Sequence, residues 1–221
     1  MQDQQASAAD LSEAGRLTGI FWEPGPVFRS LAARPRFLVP LILLTVLSTV
    51  YLVTFARVIG FEDMTRRQLE SNPRTAQLPA EQRERAIQQA ATFAAPMAYA
   101  GGILGITLVS LVVAGILLGC VNLFGGASLR YRQAFSITCY SWLPSGVATV
   151  LALVVLLLKD PADFDLQNPL PLNLGAFLDR AAVGGFVHSL ASSIDLFSIW
   201  IILLLALGFS AAAKRLSYAK A

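Results

Sequence analysis

The chain has few of the residues on which enzymes and metal sites depend. It contains one histidine and two cysteines, and charged residues make up only 14% of its 221 residues. No HExxH helix, GxSxG elbow or P-loop occurs, which removes the usual signatures of zinc proteases, α/β-hydrolases and phosphate-binding loops. Because a metal site needs several ligands and His188 stands alone, we expect no metal, no cofactor and no enzymatic activity.

The cysteines and the charge balance exclude further classes. Cys120 and Cys139 lie in apolar stretches without a CxxC spacing, so both are expected to be small buried residues rather than a redox pair. The formal net charge of +3 is small and dispersed, and no dense Lys/Arg block occurs. The sequence therefore predicts no nucleic-acid partner.

The chain has instead four long apolar runs, which are Phe37–Ala56, Ala94–Phe124, Ala134–Leu158 and Ala191–Ala213. A helix needs about 20 apolar residues to cross a bilayer core of about 30 Å. Since alternating barrel strands are absent, the runs predict an all-α, polytopic bundle of four transmembrane helices in a lipid bilayer. The domains are then a cytoplasmic arm with an interfacial helix (1–36), a transmembrane domain (37–213) and a basic tail (214–221).

Basic residues near a span mark the cytoplasmic side of a membrane protein. They lie before the first run, between the second and third, and after the fourth: Arg29, Arg34, Arg36, Arg130, Arg132, Lys214 and Arg215. This pattern places both termini in the cytoplasm. The five arginines of the first outer loop, 60–92, run against the rule.

Shorter helices are predicted outside the runs. Pro26 opens a segment in which Phe28 and Leu31 share one face, as in a helix lying in the membrane interface. The first outer loop contains two polar helix candidates, Glu62–Leu69 and Pro79–Ala91, which would form a solvated hairpin. Asn173–Val183 is predicted to be an amphipathic helix with Asn173 as its N-cap.

Two glycine pairs occur in the second run, Gly101 with Gly105 and Gly115 with Gly119. A spacing of four places each pair on one helix face and allows another helix to approach closely. The partner is either another helix of the same bundle, which we favour, or a second chain.

Asp195 is the only charged residue within the four runs, and an intramembrane carboxylate is a candidate functional group. Ser192 and Ser198 lie nearby and can bond to it, or it bonds a neighbouring helix at Tyr140. Pro144 predicts a kink in the third run. A structural role is favoured over proton or ion handling for this polar cluster.

Four stretches resemble the Yip1-domain family of small membrane proteins in its bacterial form. They are Gly19–Pro24 with Val27 and Phe28, Arg34–Leu41, Tyr140–Pro144, and Asp195–Trp200 followed by Ala206–Gly208. The resemblance implies a cytoplasmic N-terminus and five membrane helices, of which this chain would supply four, the fifth being absent or missing. It implies no catalytic residues.

The predicted function is a non-enzymatic protein of the bacterial inner membrane. It would act as a scaffold or accessory subunit, with a membrane protein or a second copy as its partner. The alternative is a small transporter or channel that uses Asp195 and the Pro144 kink. A membrane enzyme is the weakest of the three hypotheses.

Overall fold

The computed structural model describes residues 11–70, 72, 75, 77–161, 163–164 and 168–213. These residues form α-helices and no strand, which confirms the predicted all-α class. The helices are α1 (Glu13–Trp22), α2 (Pro24–Ala33), α3 (Leu38–Val58), α4 (Phe61–Glu70), α5 (Ala80–Leu123), α6 (Tyr131–Ser141), α7 (Leu143–Leu158), a 3₁₀ turn (Leu174–Phe177), α8 (Arg180–Val183), α9 (Gly185–Ser192) and α10 (Leu196–Ala212). The predicted basic tail, 214–221, lies outside the described residues.

Three helical segments of the described chain are long and apolar enough to cross a membrane: α3, α5, and α6 with α7. The fourth predicted span corresponds to α10, an apolar helix of 17 residues. Large apolar side chains such as Ile42, Val112 and Leu157 are exposed along the three spans. Water-soluble proteins rarely leave such extended apolar surface uncovered, so these helices fit a lipid environment.

The second span differs from its prediction because α5 is one helix of 44 residues. It joins the polar segment predicted at Pro79–Ala91 to the apolar run, and Pro96 lies inside it. The other loop helix appears as α4. Arg66 of α4 donates to both carboxylate oxygens of Glu84 at 3.0 and 3.1 Å, and these bonds raise the pKa of the Arg66 guanidinium above its ordinary value.

The kink predicted at Pro144 appears as an interruption at Trp142, between α6 and α7. Proline has no N–H to donate to the preceding turn, so the regular bonding pattern stops there. Ser145 makes up part of the loss, since its amide and its hydroxyl both donate to the Trp142 carbonyl, at 2.9 and 2.7 Å.

The segment before α10 corrects two boundaries. The helix predicted over Asn173–Val183 is two short pieces, separated by Leu178 in an extended conformation. Asn173 is an N-cap as predicted, because its side chain accepts the Ala176 amide at 3.0 Å. The last membrane run does not begin a helix at Ala191, since α9 ends at Ser192 and α10 begins at Leu196.

The chain forms two compact units, and the first comprises 1–44, 106–148 and 171–221. In this unit α2 packs against both α6 and α10. Phe28 and Leu31 of the face predicted for α2 are buried, together with Val27, while Arg29 and Arg34 are exposed. The face predicted to lie in the membrane interface therefore packs against helices of the protein. The described part of the arm predicted at 1–36, residues 11–36, therefore belongs to the same unit as α6 and α10.

Close approach in this core depends on a glycine. A Cβ at Gly208 of α10 would lie 2.5 Å from the Ile137 Cγ2 atom and 2.9 Å from two ring carbons of Phe28. Only glycine fits there without a shift, so the backbone of α10 at Gly208 lies directly against side chains of α2 and α6. The second unit, 45–105 and 149–170, has its own small core of Phe55, Ile59, Leu156 and Phe164.

Candidate functional site

A partly buried polar cluster lies at the start of α1. The Ser12 side chain caps this helix by accepting the Gly15 amide at 3.1 Å. The cap places Glu13 in the first turn, where a carboxylate is favoured by the helix dipole. Arg16 follows one turn later, so the two side chains lie on the same side of α1.

Arg16 is the most buried charged residue in the described chain, with 2% of its surface exposed. Its Nε and Nη2 atoms donate to Ser30 Oγ at 3.2 and 2.8 Å, and Nη1 donates to Glu13 Oε1 at 3.0 Å. A buried charge is tolerated only when it is paired and hydrogen-bonded. These contacts therefore join α1 to α2.

The Glu13 carboxylate collects two further donors. Tyr140, which is fully buried in α6, donates its hydroxyl to Glu13 Oε2 at 2.8 Å. Arg36, just before α3, donates from Nη1 to Glu13 Oε1 at 3.2 Å. One carboxylate thus connects α1, α6 and the chain that enters the first membrane-spanning helix.

A cavity of about 210 Å³ adjoins this cluster. It is lined by Glu13, Arg36, Phe37, Leu38, Val39 and Arg132. Its walls combine charged side chains with the apolar beginning of α3.

Asp195, the predicted intramembrane carboxylate, lies just before α10 and caps it. Its Oδ1 atom accepts the amides of Phe197 and Ser198 at 2.8 and 3.0 Å, and its Oδ2 atom accepts the Ser198 hydroxyl. Four orphan amides begin every helix, and an aspartate in this position satisfies some of them. The predicted contact between Asp195 and Ser198 is present, and it is a capping contact.

The other members of the predicted polar cluster are not gathered around Asp195. Ser192 Oγ lies 3.5 Å from His188 Nδ1 on α9. Tyr140 bonds Glu13 and not Asp195, and Pro144 is buried at the start of α7. Within the described residues, no three His, Cys, Asp or Glu side chains are close enough together to bind a metal.

Sequence reasoning missed Glu13, Arg16 and Ser30. The Glu13–Arg16 spacing of three was readable as a helical ion pair, but such pairs are usually solvated and contribute little. Tyr140 is 127 positions from Glu13, so nothing local connects them. Only the packing of α1 against α2 and α6 turns a surface pattern into a partly buried cluster.

The predicted glycine pairs differ from the expected internal packing. A Cβ built at Gly101, Gly105 or Gly119 would meet no atom within 4 Å of the described chain, while one at Gly115 would lie 3.9 Å from the Tyr131 ring. The close approach in this region is instead at Gly102, against Leu52. Three of the four predicted glycines therefore lie on open helix surface.

A known protein family matches most of this chain. A family model described as the Yip1 domain matches residues 18–221 of this chain. No curated protein and no solved structure matches it. The matched range contains α2, α6 and α10, together with Ser30, Arg36 and Tyr140 of the polar cluster.

Proposed function

This chain belongs to the Yip1-domain family, and on that premise we propose that it is a non-enzymatic membrane protein that serves as a scaffold or accessory subunit. The proposed partner is another membrane protein or a second copy of the chain. The observation that carries the proposal is the open face at Gly101 and Gly105. Small residues on a membrane helix allow a second backbone to approach, and no atom of the described residues lies within 4 Å of a Cβ built at either glycine.

The alternative, a transporter or channel, has less support. Its candidate group was Asp195, whose two oxygens are bonded to the first turn of α10. A carboxylate that transports ions or protons must exchange its partners, whereas a capping carboxylate keeps them. Tyr140 is likewise engaged with Glu13.

We further propose a topology of four spans in the bacterial inner membrane, with the N-terminus cytoplasmic. The 17 residues of α10 are about 25 Å long at 1.5 Å per residue, slightly short of the bilayer core, and a small local thinning accommodates such a helix. If α10 crosses the membrane as a fourth span, then Arg36, Arg132 and the residues after α10 lie on the same side of the membrane. The positive-inside rule assigns that side to the cytoplasm.

Cysteine labelling in intact cells tests the topology. Cys120 is exposed, so a Cys120→Ser background is used, and single cysteines replace Arg130 and the exposed Glu81. An impermeant reagent should label Glu81→Cys from outside and Arg130→Cys only after the cells are opened. The reverse pattern would show that the orientation is wrong.

The accessory role is tested by purification from native membranes in mild detergent. Gly101→Leu and Gly105→Leu should remove a stoichiometric partner, or the second copy, because leucine prevents close helix approach. Their melting temperatures should stay unchanged, since both positions are open. Ile103→Phe adds bulk to the opposite side of the same helix and is the matched control. Loss of the partner in all three variants, or in none, would contradict the proposal.

Reconstituted vesicles separate this role from transport. Asp195→Asn preserves an N-cap acceptor and removes the charge, so a scaffold should retain both partner binding and stability. Flux across the vesicle membrane that disappears in Asp195→Asn, without a change in melting temperature, would favour the transporter instead.

A further inference from the structure

The cavity beside Glu13 contains more positive than negative charge. Arg36 and Arg132 line it together with a single carboxylate, that of Glu13, which leaves one positive charge unbalanced in the lining. Arg132 is exposed and makes no ion pair with the residues that the structure describes. An anionic group is therefore the natural occupant of the space between Arg36 and Arg132.

The wall formed by α3 adds backbone donors. The first intrahelical bond at this end runs from the Leu41 amide to the Phe37 carbonyl, so the amides of Leu38 and Val39 precede the bonded part of the helix. Both residues line the cavity. Amides at a helix N-terminus and the positive end of the helix dipole favour a phosphate group.

The cavity opens on an apolar surface. Leu38, which lines it, is 62% exposed, and Ile42, one turn further along α3, is 60% exposed. These side chains continue from the charged end into the first membrane-spanning helix. When the arginines bind the anionic headgroup of a lipid, one of its hydrocarbon chains can thus lie along α3.

We propose that this cavity binds an anionic phospholipid, with its phosphate between Arg36 and Arg132 and one acyl chain along Leu38 and Ile42. The group that the arginines would bind is a phosphate, which occurs both in lipid headgroups and in soluble compounds. The apolar surface beside the cavity favours the lipid. Basic pockets at the ends of membrane helices are suited to such headgroups.

The test uses the purified full-length protein in a nonionic detergent, with melting temperature as the measurement. Short-chain phosphatidylglycerol should raise the melting temperature saturably. Phosphatidylcholine of the same chain length and inorganic phosphate should have little effect at the same concentrations. An equal rise with phosphatidylcholine, or with inorganic phosphate alone, would overturn the proposal.

Two arginine variants locate the site. Arg132→Gln should raise the half-saturating concentration of phosphatidylglycerol by about fivefold, because that is the contribution of one arginine to binding at an anionic membrane surface. Arg29→Gln removes an exposed arginine that does not line the cavity and should leave that concentration unchanged. Arg36 is not substituted, because it also bonds Glu13, and its loss would change the contacts of that carboxylate as well as the cavity. Equal losses in both variants would reduce the effect to general surface charge and refute a defined site.

Discussion

Gly208→Ala should destabilise the first compact unit, although alanine favours a helix more than glycine does. The new Cβ would lie 2.5 Å from Ile137 Cγ2 and 2.9 Å from two Phe28 ring carbons, distances at which something must move. Overpacking of this kind costs about 1–3 kcal/mol, while the gain in helix propensity is about 0.5–1 kcal/mol. The net loss is about 1 kcal/mol, which lowers the melting temperature of a protein of this size by about 2–4 °C.

Thermal unfolding of the purified protein in detergent measures this loss, and Gly119→Ala is the matched control. Gly119 lies in the same unit on a helix surface with no atom within 4 Å of a new Cβ, so alanine should be neutral or stabilising there. The double variant Gly208→Ala, Ile137→Ala should lose less stability than the two single losses added together, because removing Cγ2 relieves the clash. A Gly208→Ala protein as stable as the parent, or a strictly additive double variant, would refute the packing described for α2, α6 and α10.

Three further predictions concern polar contacts. Tyr140→Phe should lower the free energy of unfolding by about 1–3 kcal/mol, because the substitution leaves an oxygen of Glu13 without its donor. Denaturant titration measures this loss. Asp195→Ala should cost about 1 kcal/mol through loss of the N-cap of α10 and Asp195→Asn less, an order that melting temperatures reveal. Asn122→Ala should speed hydrogen exchange at the Leu129 amide, because the Asn122 side chain accepts that amide and donates to the Leu129 carbonyl, both at 3.0 Å. Unchanged values in any of these comparisons would contradict the corresponding contact.

The membrane class was predictable because a bilayer requires a helix to be long and apolar enough to cross it, and neither property depends on distant residues. Helix length and apolar composition can be read along the chain, and they identified α3, α5 and the α6–α7 segment. Local rules also succeeded at Asn173, which caps its turn, and a one-residue break at Trp142 lies two positions before Pro144. Each of these features depends on a few neighbouring residues.

Boundaries that depend on competing local choices were predicted less well. Apolar composition alone extended the last run back to Ala191, whereas the capping side chain of Asp195 begins α10 at Leu196. In α5, a change from polar to apolar residues suggested a boundary near Ala94, yet the helix continues because backbone bonding does not depend on side-chain polarity. The four-span topology and its orientation stay predictions.

The sequence by itself determined the all-α class, the three long spans and the apolar face of α2, since periodicity and length are local properties. Tertiary structure decided which polar residues meet. It brought Tyr140 of α6 to Glu13 of α1, left Asp195 as a helix cap, and left Gly101 and Gly105 with no atom of the described residues within 4 Å of a built Cβ. The physical reason is that a hydrogen bond or a close helix approach depends on the crossing of distant segments, and one helix's residue pattern does not specify which helix crosses it.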